Sequence, residues 1–468
     1  MPAGCVFTGK GPAAFDEADA ADHLLANCAL MNSLSFKALV GTRLNAADST
    51  ARSFEVGIIQ KTPAPALNAD HKNQLALLAR RSWSMKRNLD TVDETSHAFL
   101  LPSALRARIS TFDPIQIDAE LGHVQASIDD LTFELYGFSK ADRDAIAENM
   151  GGTLAEDSSE LDEEESDDVQ LPADSQSALL SWCVGITFGR FDWCLATDER
   201  KAPADPDPFD PLPAKSPGML PDGAEPFHIH AGILVDDQGH PHDLTHLVEE
   251  VLGRVDMPVP DDVRRWLQRD FFPFHLQRYS KSRRKAPIYW PLATASGNYT
   301  LWVYYPSLTS QTLYTAINDF VEPKLKEVGA GGTALRNKGT ARTRDEEKQF
   351  EILQAFELEL IELRDTLLRI AQDYQPNHDD GVQITAAPLW PLFRHKPWQK
   401  VLKDTWAKLE KGDYDWAHLA MSYWPARVRE MCKTDKSLAI AHDLEALYVE
   451  PEAKPKKTRG KKSAGAIE

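Results

Sequence analysis

Between Arg283 and Val328 the chain reads RRKAPIYWPLATASGNYTLWVYYPSLTSQTLYTAINDFVEPKLKEV. A basic cluster runs into two aromatic strands around a Ser-Gly-Asn turn, and then into a helix. Successive strand residues face opposite sides, so at most half of the aromatic residues in such a hairpin can meet a ligand and the others must pack. Arg278, Lys281, Arg283, Arg284 and Lys285 supply cations, and Tyr289, Trp290, Tyr299 and Trp302 supply rings. These nine residues are the candidate DNA-binding set, because cations fix phosphates and rings stack on bases. The plainer reading is an apolar hairpin with a snorkelling basic edge.

A chain of 468 residues exceeds one ordinary domain and predicts two to four. With 42% hydrophobic residues it can build real cores. No run approaches the roughly 18 apolar residues of a membrane helix, and the first 15 residues lack the charged start and apolar core of a signal peptide. The five cysteines are scattered without a CxxC pair, which implies reduced thiols and a cytoplasmic protein. The net charge of −19 is uneven. From Arg264 onward 33 basic residues face 26 acidic ones, whereas residues 1–263 hold 19 and 45. The C-terminal half is therefore the one suited to phosphate.

The segments fall into seven. Residues 1–66 hold a helix with apolar spacing at Leu24, Leu25, Cys28, Met31 and Leu34, then a strand-like FEVGIIQ. Residues 67–150 read as helical, broken near 101–105 and at Asp113-Pro114, with Ser139 as an N-cap and Asp142 at N3. Residues 151–176 form an acidic linker, with nine carboxylates between Glu156 and Asp168. Residues 177–328 are an α+β accessory domain containing the hairpin, and 201–226 within it a Pro- and Asp-rich surface loop. Residues 329–375 comprise a flexible loop (GAGGTALRNKGTART) and a long helix. Its residues Leu353, Phe356, Leu360, Leu363, Leu367 and Ile370 make a heptad-like stripe that needs a helical partner. A Trp-rich helical region spans 376–450 and a basic tail 451–468. The expected fold class is α+β, mainly helical, with several small α/β units and short strands near 54–60, 183–189, 232–236 and 288–305.

Other motifs carry less. His228 and His230 alternate along a strand, and His242 and His246 stand i, i+4 on a helix, so a zinc site and a hydrolase are conceivable. Without an HExxH glutamate or a nearby cysteine, incidental surface histidines are the simpler reading, and no metal site is assigned. Trp390, Trp398, Trp406, Trp416 and Trp424 suit helix packing. Lys396, Lys400, Lys403, Arg427 and Arg429 fit phosphate contacts and solvated faces equally well. The chain has no GxGxxG, no GxxxxGK[ST] and no GxSxG. EVGIIQK lacks the upstream acid of a nuclease strand.

Several segments, in order along the chain, resemble large bacterial adenine-specific DNA methyltransferases of the fused restriction–modification and phage-exclusion (BREX) type. VFTGKGPAAF, LMNSLSFKALV and FEVGIIQKTPAPAL resemble the end of that family's target-recognition region. GILVDDQGHPHDL, RRKAPIYWPL, TLYTAINDFVEPKLKEV, DDGVQITAAPLWPLF, GDYDWAHLAMSYWPARVRE and TDKSLAIAHDLEALYVEP resemble its C-terminal accessory region. The resemblance covers nearly the whole chain outside the linkers. It implies double-stranded DNA as a partner and a catalytic half that binds S-adenosylmethionine on a Gly-containing loop after a first strand. The family's Asn/Asp-Pro-Pro-Tyr/Phe motif, which holds the flipped adenine, does not occur here. The expectation is an accessory, DNA-binding portion with no catalytic residues and no bound cofactor, acting with a catalytic half or another defence-system subunit. The alternative is a non-enzymatic interaction subunit of a phage-defence complex.

Overall fold

A computed structural model describes residues 16, 18–45, 56–148, 175–281 and 284–450. The acidic run, the basic tail, VFTGKGPAAF and Arg283 lie outside the described residues. The fold is mainly helical with two small sheets. It divides into two compact units, one of residues 1–230 and 238–285, the other of 231–237 and 286–468. The 177–328 segment thus contributes to both units, and the boundary falls between Lys285 and Ala286.

In the first unit, helices Ala21–Asn32, Ala69–Asp90 and Pro114–Tyr136 share a core of Leu25, Ala26, Ala29, Leu75, Ala76, Ala79, Val124 and Ile128. The alanines let the helices approach closely. Pro114 and the Asp113 cap start the third helix, and Gly137 ends it in the left-handed conformation. No single described helix is long and apolar enough to cross a membrane; the pair Ala21–Asn32 and Leu34–Arg43 reaches the length only together, bent by 63°.

Two expected strands are helices. Val56–Lys61 forms a short helix in place of the strand near 54–60, with residues 54 and 55 outside the described set. Strand preference is weak when no neighbouring strand offers a ladder. Residues 183–187 belong instead to helix Ser175–Thr187, buried on every side from Leu179 onward, and Phe188 and Gly189 form the turn after it. An apolar run buried all round carries no period that separates helix from strand. Gly185 is needed there, because a Cβ would meet the Phe191 ring at 2.2 Å.

Residues 263–278 make one helix through Pro273, with a π turn at Leu267–Phe271. The second unit repeats the device: residues 312–337 run through Pro323 with a π turn at Ala316–Val321. A proline ring clashes with the carbonyl four residues back, and the wider turn absorbs that clash.

The second unit is built on β1 (Ile233–Asp236), while the first carries a two-residue ladder, β2 (Ser280–Lys281) with β3 (Arg284–Lys285). The expected hairpin is β4 (Tyr289–Ala293) and β5 (Thr300–Tyr304), paired from Tyr289 opposite Tyr304 to Ala293 opposite Thr300. β1 adds to the free edge of β5, giving an antiparallel sheet of order β1-β5-β4.

The GAGG stretch is helix, not a flexible loop: Glu322–Asn337 continues through it. Each glycine costs roughly 1 kcal/mol of helix propensity, but here they admit a close neighbour. A Cβ on Gly331 would crowd Leu353 and one on Gly329 would crowd Glu357, each at 3.3 Å. The neighbour is helix Arg344–Ala371, which begins with a Thr343–Glu346 capping box. It is the expected heptad helix. Leu360, Leu363, Leu367 and Ile370 of its stripe are buried, and its partner is the Glu322–Asn337 helix of the same chain.

Candidate nucleic-acid interface

The division between units separates the eight candidate residues that are described. The cations lie in the first unit and the aromatic residues in the second. Tyr289, Trp290, Tyr299 and Trp302 are 1%, 0%, 1% and 2% exposed. Trp290 donates to the Pro287 carbonyl at 2.8 Å and packs against Tyr305 and Phe393. Tyr289 stacks on Tyr304, and the Tyr299 hydroxyl donates to the Phe320 carbonyl at 3.1 Å. Both faces of the hairpin are covered, so none of these rings offers a surface to a base. The expectation of base stacking is corrected to core packing.

Arg278 is also committed. Its guanidinium donates to Asp93 at 3.2 Å and lies over the Phe274 ring. Beside it is a buried polar network. Ser181 donates to Glu94 Oε2 at 2.9 Å, while the other carboxylate oxygen, Oε1, is buried without a donor. Arg190 donates to the Tyr279 hydroxyl and lies over the rings of Tyr279 and Phe191. His275 is fully buried against Tyr279; burial, then the charges of Arg190 and Arg278, push its imidazole well below the usual range. Its hydrogen bonds join residues more than 80 apart, and no local sequence signal announces them.

Lys281, Arg284 and Lys285 remain. Lys281 stands opposite Arg284 on the β2–β3 ladder, and both are exposed. Lys285, opposite Ser280, is half-buried. Among the described residues none of the three has a carboxylate within salt-bridge distance. Like charges facing across a ladder repel, so the arrangement favours an anion.

The histidines group differently from expectation. His228 and His230 precede β1 in irregular chain, because no neighbouring strand pairs with them. His242 lies in the turn before helix Leu244–Arg254, so it does not share a helical face with the exposed His246. Instead His228 Nε2 and His242 Nδ1 share a 2.7 Å hydrogen bond, and His240 accepts from the His242 backbone. Burial, then His228, push the His230 imidazole down to about 4. Among the described residues no group of three or more His, Cys, Asp or Glu side chains is placed to hold a metal ion.

In the second unit, arginines and lysines part ways. Arg394 donates to the carbonyls of Ala293, Thr294 and Pro391 at 2.6, 2.7 and 3.1 Å. Arg427 donates to Asp415 and to the carbonyls of Leu409 and Glu410. Lys396, Lys400, Lys403 and Lys411, on helix Lys396–Lys411, are exposed, and among the described residues none has a carboxylate partner. Lys403 lies 5.2 Å from the centre of the half-buried Trp390 ring. Of the expected Trp packing, Trp398 is fully buried, Trp406, Tyr423 and Trp424 cluster, and Trp416 is exposed. Compared with known proteins, the chain matches no family model and no curated sequence.

Proposed function

We propose that the chain is the DNA-contacting accessory part of an adenine-specific DNA methyltransferase of the restriction–modification or phage-exclusion type. On this reading it works in the cytoplasm on double-stranded DNA, beside a catalytic half that holds S-adenosylmethionine. The segments that resemble that family in order along the chain support the reading. The observation that carries it furthest is the β2–β3 tip, where Lys281, Arg284 and Lys285 have no carboxylate partners among the described residues. Such cations position a phosphate backbone without reading sequence.

The residues present do not fit the methyl donor. The three-stranded sheet is antiparallel, and the sequence has no Asn-Pro-Pro or Asp-Pro-Pro motif of the kind that holds the flipped adenine in the resembling family. No step of methyl transfer is therefore assigned to this chain. The alternative, a protein-interaction subunit, loses its main motif, because the heptad stripe is spent on the chain's own Glu322–Asn337 helix.

Retention on duplex DNA over a salt series tests the reading. Binding should weaken linearly on a log–log plot, and alanine at Lys281, Arg284 and Lys285 should lower the slope by about 0.9 per lost phosphate contact. Failure to bind duplex at low salt, or robust methyl transfer by these 468 residues alone, would overturn it.

A further inference from the structure

We infer that the lysine face of helix Lys396–Lys411 lies along a DNA phosphate backbone; this rests on the accessory, DNA-contacting reading and names a second contact surface for it. Lys396, Lys400 and Lys403 recur at i, i+4 and i+7, which puts them on one helical face rising about 10 Å along the axis. Lys411 continues that face a full helix length on. The opposite face carries Trp398, Leu402, Thr405 and Leu409, all buried, so the helix cannot turn its lysines away from solvent.

Three observations separate this face from an ordinary solvated one. First, the helix has no acidic residue in its first turn, and Lys396 occupies that turn. Cations there oppose the macrodipole by about 0.3–1 kcal/mol each, so the placement is locally unfavourable. Its one local compensation is a long 3.4 Å hydrogen bond to Gln399, and a local rule broken for so little marks a place where something outside the helix supplies the gain. Second, some exposed lysines elsewhere are matched, Lys338 by Glu346 and Lys433 by Glu430, while Lys326 and Lys348, which have no carboxylate partner among the described residues, stand on separate helices rather than in a row. On this helix Asp404 and Glu410 are available, yet no pair forms. Third, the arginines nearest in sequence, Arg394 and Arg427, are occupied with backbone carbonyls, leaving flexible point charges only. Planar arginines would suit bidentate capture of a carboxylate peptide, whereas a row of lysines suits a uniform line of phosphates.

The test is binding of a fluorescent duplex by the full chain between 50 and 200 mM salt, compared with Lys396→Ala/Lys400→Ala/Lys403→Ala. Three lost phosphate contacts lower the log–log slope by about 2.7, so over this range wild-type affinity should fall about 40-fold more than the variant's. Arginine at all three positions should restore the slope. Alanine at the exposed Lys326 and Lys348 should leave it unchanged. Unaltered circular dichroism and urea midpoint establish that the triple variant is folded. If wild type binds duplex and the triple variant keeps the same slope, this surface is wrong while the accessory reading stands. If wild type does not bind duplex at low salt, both fall. If the triple variant loses a polyglutamate probe but keeps duplex binding, the face takes an acidic protein, and the inference is overturned.

Discussion

The β4–β5 hairpin and the Lys396–Lys411 helix both carry tryptophan in the same compact unit, and in the sequence each stands beside cations. In the hairpin β1 takes one edge of β5, and burial covers both faces, so Tyr289, Trp290, Tyr299 and Trp302 become core. In the helix Trp398 is core, but the opposite face is exposed and its lysines have no carboxylate partner among the described residues. Both places carry aromatic residues, and only the helix carries lysines of its own. What differs is whether a second layer of chain covers the outer face, and that decides which residues are left to meet a partner.

If the hairpin aromatics are core, Trp290→Ala should be among the most damaging single changes in this unit. It empties a fully buried indole site against Tyr305 and Phe393 and orphans the Pro287 carbonyl. Truncation of such a side chain costs about 3–5 kcal/mol. Urea unfolding followed by tryptophan fluorescence measures it; a loss below 1 kcal/mol would mean that the ring is not a core anchor and would reopen a ligand-facing role.

Burial acts on a polar ring in a second, pH-dependent way. His230 packs edge-on to Phe188 and faces His228 and His242, with Glu250 acting on His228. Its folded value of about 4 lies below the unfolded value near 6.5, so between them the unfolded chain binds more protons. Stability should therefore be held above pH 6.5 and lost as pH falls toward 4, by on the order of 2–3 kcal/mol for this one ring. His228 and His242 are depressed in the same direction by burial and add to the slope. The difference in urea midpoint between wild type and His230→Gln, read from pH 7 to 4.5, isolates the contribution; parallel curves would remove His230 from the account.

Arg394 joins the two compared regions, since it immediately precedes the helix and holds the Ala293 and Thr294 carbonyls at the end of β4. Charge-assisted bonds of this kind are worth about 1.5–3 kcal/mol together with the carbonyls they satisfy. Arg394→Ala should cost about 2 kcal/mol, and lysine should rescue it poorly because one ammonium cannot span the three acceptors. Equal stability of the lysine and wild-type proteins would show that charge alone suffices.

The hairpin was legible because alternation and a Ser-Gly-Asn turn are local signals, with Gly297 in the left-handed conformation the turn requires. The heptad helix was legible through its period. Val56–Lys61 and the Ser175–Thr187 helix were not, since β-branched content and unbroken apolarity mean different things in different surroundings. The Gly329–Gly332 stretch misled because glycine marks loops and close helix contacts alike. For the site, cation positions could be read, but their freedom could not. Arg278 is taken by Asp93, which is 185 residues away, and Arg427 by carbonyls at the end of helix Lys396–Lys411. Such partners are properties of the fold, invisible in the spacing of one segment.

The smallest expected effect is the sharpest test of the contrast. Lys396, Lys400 and Lys403 touch no carboxylate among the described residues, and Lys396 sits against the helix dipole. Their replacement by alanine should change stability by no more than about 0.5 kcal/mol, the range of surface substitutions away from special features. Relief of like-charge repulsion and the better helix propensity of alanine both push the sign toward stabilisation. A gain in urea midpoint would mean that these lysines are kept at a cost to the fold. A loss above 1 kcal/mol would instead place them in a hydrogen-bonded role like that of Arg394, and the distinction between a covered and an open basic–aromatic region would collapse.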